Sequence, residues 1–213
     1  MTKRVTIVDF GIGNLFSVMR AVEVTGGEDI RVSGRAEDIV DADKLILPGV
    51  GAFKDGMLGL RERGLLPHIL SAVQRGKPLL GICLGMQLLA TTSEEFGLHS
   101  GLALIPGKVK PMPRVSVHGD PLKVPYIGWS PLILSTQGLS EVSCLAKAHN
   151  NSVYLVHSYY FEPDDPKNIL ASYSFGGHLI TAAVRHNNIT GVQFHPEKSG
   201  AVGLEIIREF ICS

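Results

Sequence analysis

Pro78-Leu79-Leu80-Gly81-Ile82-Cys83-Leu84-Gly85-Met86-Gln87-Leu88-Leu89-Ala90 is the stretch that decides the fold. Pro78 to Ile82 is unbroken in apolar character, which reads as a strand buried on both faces in a sheet covered by helices. Leu84 to Ala90 reads as helix. Between them stands a cysteine with glycine two residues before and two after, the thiol version of a strand–nucleophile–helix elbow. A side chain at the tip of so sharp a turn needs neighbours without bulk. The helix start adds free N–H groups and a positive dipole end, which stabilise a thiolate. An ordinary thiol is only about 3% ionised at pH 7, so such help matters. The same N–H groups can hold the oxyanion that forms when a thiolate attacks a carbonyl.

Outward from this stretch, the first half of the chain alternates strand and helix signals. Val5 to Val8, Ile30 to Val32 and Leu45 to Leu47 read as strands, the last closed by Pro48-Gly49. Leu15, Val18, Met19 and Val22 recur at the spacing of one helical face, and Gly26-Gly27 stops that helix. A further helical stretch breaks in two around Gly64. The second half reads as short strands: Val109 to Val117, Leu132 to Leu134, Val153 to Val156, Ile169 to Tyr173, Leu179 to Val184 and Ile189 to Phe194. Gly176-Gly177 and Asn187-Asn188 mark hairpin connections, and Leu204, Ile207 and Ile211 stripe a C-terminal helix. These signals predict an α/β fold, a doubly wound and mostly parallel sheet with antiparallel additions, in one domain over residues 1–213.

Composition narrows the class. The 213 residues are 45% hydrophobic and 19% charged, which excludes disorder, collagen and coiled coil. Twenty Lys+Arg balance twenty Asp+Glu, leaving no electrostatic footprint for nucleic acid or anionic membrane. No apolar run is long enough to span a bilayer, and the N-terminus does not read as a signal peptide. Three widely separated cysteines argue against a disulfide framework and for a cytoplasmic protein. Cys144 and Cys212 lack the context of Cys83 and read as structural or incidental.

A base for the thiol stands near the other end of the chain. Gln193-Phe194-His195-Pro196-Glu197 closes the last expected strand, and residues two apart in an extended chain share a face. His195 beside Glu197 keeps one tautomer and can take a proton from a nearby thiol, so Cys83, His195 and Glu197 form a candidate triad. The remaining histidines show no metal-ligand spacing, so neither metal nor cofactor is expected. Gly11-Ile12-Gly13 fails the dinucleotide fingerprint because Phe16 stands where its third glycine belongs.

The two motifs together, Gly81-Ile82-Cys83-Leu84-Gly85-Met86-Gln87 and Gln193-Phe194-His195-Pro196-Glu197, resemble the signatures of class I (triad) glutamine amidotransferases, whose fold is flavodoxin-like. Asp9 to Leu15, Leu47 to Phe53 and Val156 to Tyr160 are similar to the glutaminase subunits of imidazole glycerol phosphate synthases. The resemblance implies that Cys83 attacks the side-chain amide of L-glutamine, with His195 as acid and base and Glu197 orienting it. It also implies an oxyanion site from the backbone of Leu84 and of Gly49, Val50 and Gly51. Gln87 and Glu95 match substrate-holding positions, Glu95 against the α-ammonium, and His157, Ser158 and Tyr159 match a segment lining the glutamine pocket. The implied partner is a (β/α)8-barrel synthase subunit, joined as a heterodimer and receiving ammonia for histidine biosynthesis. Two positions depart from the pattern: Ser130 follows Gly128-Trp129 where the family usually has Asn, and Tyr126 stands where His is common. Both fall in a segment associated with the partner-facing side. Three alternatives stay open: a paralogous glutaminase feeding sugar amidination or amination for surface polysaccharides, a thiol hydrolase or peptidase on the same fold, and a silent scaffold.

Overall fold

The computed structural model describes residues 3–136 and 148–213. The first half runs β1 (Arg4–Val8), α1 (Leu15–Val24), β2 (Asp29–Ser33), α2 (Ala36–Asp41), β3 (Lys44–Gly49), α3 (Phe53–Glu62), α4 (Leu66–Gln74), β4 (Leu79–Cys83) and α5 (Leu84–Leu88). Then come β5 (Thr92–Ser93), β6 (His99–Ser100), β7 (Gly107–Pro111), β8 (Tyr126–Pro131), β9 (Ile133–Leu134), β10 (Ser152–His157) and β11 (Tyr159–Pro163). The chain closes with β12 (Ile169–Phe175), β13 (His178–His186), β14 (Ile189–Val192) and α6 (Gly200–Cys212).

The main sheet has the order β2-β1-β3-β4-β14-β13-β12-β9. Its first five strands are mutually parallel, and the last three add antiparallel pairs. The expected mixture is therefore present. Period-2 alternation divides the strand side chains between two cores. Val5, Ile7 and Ile46 face the side covered by Val18 and Val22 of α1 and Ile206 and Ile207 of α6. Val8, Leu45 and Leu47 face Met57 and Leu60 of α3, Ile69 of α4 and Met86 of α5. A one-residue slip would exchange the two sets, which is what pins the register. In such parallel sheets ligands bind beyond the carboxyl ends of the strands. Here those ends carry Gly49, Cys83 and, just past β14, His195.

Several expectations shift. The strand expected from Val109 to Val117 stops at Pro111, because Pro111 and Pro113 cannot donate to a ladder. The segment beyond turns back instead, with Val115 bridging Pro121. The helix expected to reach Ala90 ends at Leu88, so α5 has only five residues. Its help to a thiolate comes from the free N–H groups of one turn rather than from a long dipole. Gly176 and Gly177 both adopt positive φ between β12 and β13, and Asn187 does so between β13 and β14, as tight hairpin turns require. Cys144 lies outside the described residues.

Lys44 is a buried charge that sequence patterning did not single out. It is 2% exposed at the start of β3, and Nζ donates to Phe210 O at 2.5 Å, Ser213 O at 2.7 Å and Ser213 Oγ at 2.9 Å. These bonds satisfy carbonyls at the end of α6. Burial pushes its pKa down to about 8. Lys44→Met is expected to lower stability by about 1–3 kcal/mol, read from the urea midpoint. An unchanged midpoint would show that the bonds contribute nothing.

Candidate active site

Cys83 ends β4 with φ 53° and ψ −110°, a left-handed conformation that a side chain rarely adopts. The flanking glycines make it possible. A Cβ at Gly85 would sit 1.7 Å from Leu47 O, and one at Gly81 would sit 2.8 Å from Gly85 O. Neither position accepts any larger residue, so the small-residue pattern has a steric cause. The thiol is thereby lifted out of the sheet at its carboxyl edge, beside Gly49 of β3, with which Cys83 pairs in register.

His195 and Glu197 meet, but not through extended backbone. Pro196 to Lys198 forms a single 3-10 turn, and within it His195 Nδ1 donates to Glu197 Oε1 at 2.8 Å. The side chains are 3% and 1% exposed. Ser199 locks this turn: its Oγ donates to His195 O at 2.7 Å and accepts from Tyr154 N at 3.0 Å. His195 N donates in turn to Tyr154 O at 3.0 Å. Gly203 of α6 lets the turn rest on the helix, since a Cβ there would lie 2.0 Å from Pro196 O. With Nδ1 committed to Glu197, Nε2 is left for Cys83. Burial opposes the imidazolium, but hydrogen bonds to Cys83 and Glu197, with their charges, outweigh it and raise the His195 pKa to about 9.

Cys83 and His195 open into a cavity of about 260 Å³. That is below the roughly 300–1,000 Å³ of drug-sized pockets and suits a ligand the size of a single amino acid. Val50, Gly51 and Leu84 line it near the thiol; Gln87, Glu95, His157, Ser158 and Tyr159 line the rest. Of the residues expected in the site, Gly49 packs just beneath, where a Cβ would meet Leu84 Cβ at 3.1 Å, and Glu197 stands behind His195. Pro125 joins the lining without having been singled out, and Val156, quoted only within the resemblance, joins it as well.

The polar groups are mostly committed. Glu95 accepts from Phe53 N at 2.6 Å, while burial pushes its pKa up against that bond. His157 Nδ1 donates to Tyr159 O at 2.9 Å and Nε2 accepts from Tyr173 OH at 2.8 Å, and burial drops its pKa to about 4. His157 is therefore neutral and structural at pH 7. Gln87 Nε2 donates to Tyr159 O at 2.9 Å and to Gln193 Oε1 at 3.0 Å. Both of its protons are thus used, and only Oε1 is left to accept from a ligand. Among the described residues no cluster of three His, Cys, Asp or Glu side chains could hold a metal ion.

The family model described as Glutamine amidotransferase class-I matches residues 6–212. The chain belongs to the class-I glutamine amidotransferases. The "Imidazole glycerol phosphate synthase subunit HisH 1" of Legionella pneumophila (strain Paris) is 45% identical over 97% of this chain and 98% of that relative. "Imidazole glycerol phosphate synthase subunit HisH" of Geobacillus thermodenitrificans (strain NG80-2) is 46% identical over 96% of this chain and 93% of its own length. The solved "Structure of PurLQS from Thermotoga maritima" superposes with a TM-score of 0.76 at 20% identity, covering 100% of this chain and 98% of that one. That likeness speaks for the amidotransferase fold alone. Sequence reading missed Tyr154, Tyr173 and Ser199, which carry no motif, and gave Gln193 no role although it opens the second motif.

Proposed function

We propose that this amidotransferase is the glutaminase subunit of imidazole glycerol phosphate synthase. It acts as one domain in the cytoplasm, paired with a (β/α)8-barrel synthase subunit that receives its ammonia. The observation that carries this reading is the near-full-length identity of 45–46% to relatives bearing that name. The Cys83 thiolate attacks the carboxamide carbon of L-glutamine, forming a C–S bond. The oxyanion accepts from the Leu84 N–H, which has no intrahelical partner, and from the backbone of Gly49-Val50-Gly51. His195 gives its proton to the amide nitrogen, the C–N bond breaks, and ammonia leaves. Neutral His195 then takes a proton from the water that hydrolyses the thioester, releasing glutamate and restoring the starting pair. Glu95 holds the α-ammonium and Gln87 Oε1 accepts from the substrate.

The two departures from the family pattern do not disturb the strand that bears them. Tyr126 OH and Ser130 Oγ lie 2.6 Å apart and share one hydrogen bond, and Tyr126 OH also lies 3.3 Å from Trp129 O. Beside them Ile127 and Trp129 of β8 are 61% and 55% exposed, and Trp129 packs edge-on against Tyr154. That apolar strip next to the His195 turn supports the placing of a partner there.

A lone subunit that released ammonia without an acceptor would waste it. Glutamine hydrolysis by the purified chain is therefore expected to be slow, and roughly 10²–10³-fold faster once the barrel subunit and its nucleotide substrate are added, the worth of one oxyanion donor. Gly51, at φ 95°, gives the segment the backbone freedom for two orientations. A high rate without the partner, unchanged on adding it, would remove this reading of control. Stimulation by a sugar-modifying enzyme instead would assign the chain to the polysaccharide paralogues.

A further inference from the structure

Gln193 directly follows β14, is fully buried, and is not a member of the triad. We propose that Gln193 is a positioning residue for the nucleophile, its Nε2–H donating to Cys83 Sγ and holding the sulfur as an oriented thiolate. The proposal rests on the reading of Cys83 as the nucleophile.

A chain of contacts fixes the direction of that hydrogen bond. The Tyr159 carbonyl can only accept, so the Gln87 atom 2.9 Å from it is the amide nitrogen. The same nitrogen lies 3.0 Å from the Gln193 side chain, whose facing atom must therefore be Oε1. Nε2 of Gln193 is then turned to Cys83 Sγ, at 3.7 Å. His157 braces the same carbonyl from another side, and Tyr173 braces His157. Flipping the Gln193 amide would set nitrogen against nitrogen at Gln87 and oxygen against the sulfur, two repulsions at once. The sulfur thus has an N–H donor on one side and His195 on another. Such a donor favours thiolate over thiol, because hydrogen bonds to an ionised group are roughly twice as strong as neutral ones.

The test reads alkylation of Cys83 by iodoacetamide against pH, in the full chain carrying Cys144→Ser and Cys212→Ser. Gln193→Leu removes the donor, and Gln193→Glu keeps the size and the Gln87 contact but turns an acceptor toward the sulfur. The pH midpoint is expected to rise by about one unit in the leucine variant, with alkylation about tenfold slower at pH values below the wild-type midpoint. The glutamate variant is expected to shift further. The kcat for glutamine falls in step, while KM changes much less. A merely space-filling Gln193 would alter melting temperature or KM and leave the midpoint where it is, which would overturn the proposal. If the leucine variant does not fold, the glutamate variant carries the reading, and Gln87→Met, which unpins Gln193, provides a third. Failure of wild-type Cys83 to react with a glutamine-mimicking electrophile would instead remove the nucleophile assignment itself.

Discussion

Cys83→Ala is expected to lose glutamine hydrolysis by roughly 10⁴-fold or more, while the protein keeps its fold. The loss follows from chemistry, since Cys83 supplies the one thiol among the described residues that line the cavity. The retained fold follows from geometry. Alanine is smaller than cysteine and suffers no more than cysteine does at φ 53°. The sulfur borders a cavity, so removing it leaves no new sealed void. Cys212→Ala is expected to retain most activity, because Cys212 is exposed at the end of α6. Cys144→Ala is expected to do the same. The check is ammonia release under saturating glutamine, together with circular dichroism. Substantial release by folded Cys83→Ala would defeat the assignment.

His195→Ala is expected to cost roughly 10³-fold or more in kcat, and Glu197→Gln distinctly less, because an orienting group contributes less than the base it orients. The pH profile separates the two roles. In the proposed mechanism His195 acts as an acid toward departing ammonia, and its pKa is raised to about 9, so the acid form persists through neutrality. The rate should fall as pH rises through about 9. Glu197 is one of the groups that raise that pKa. Its neutralisation in Glu197→Gln should therefore move the alkaline limb to lower pH. The sign for stability agrees. The contribution of a base whose folded pKa is raised is complete below its unfolded value near 6.5 and is lost through about 9. Near-normal kcat in His195→Ala would mean that the base lies elsewhere, and an alkaline limb that ignores Glu197→Gln would break the link between the two residues.

The parallel half of the sheet was legible because its buried strands are short apolar runs, with proline or glycine at one end of β3 and of β4. The elbow was legible because Gly81 and Gly85 have a steric reason that is visible in spacing alone. β8 and β11 were not. Their exposures alternate, and Gly128, Pro131 and Pro163 read as turn residues. α2 escaped because it has six residues and buries only Ile39. The His195 and Glu197 pairing was reached by an extended-chain argument, whereas a 3-10 turn creates it. Their spacing of two residues serves in either conformation. The contact between Gln87 and Gln193 was out of reach for a different reason. They meet across 106 residues of chain, and only the parallel pairing of β4 with β14 brings them together. Lys44 was hidden likewise, because its partners lie at the far end of the chain.

The proposed mechanism requires Cys83 to form a covalent glutamyl intermediate in the cavity between β4 and the His195 turn. Its most direct test is labelling of the full chain with a glutamine-mimicking electrophile, followed by peptide mass spectrometry. One label per chain is expected, on Cys83, suppressed by excess L-glutamine and absent in Cys83→Ala. Label on Cys144 or Cys212 instead, or label on Cys83 that excess glutamine does not suppress, would contradict it.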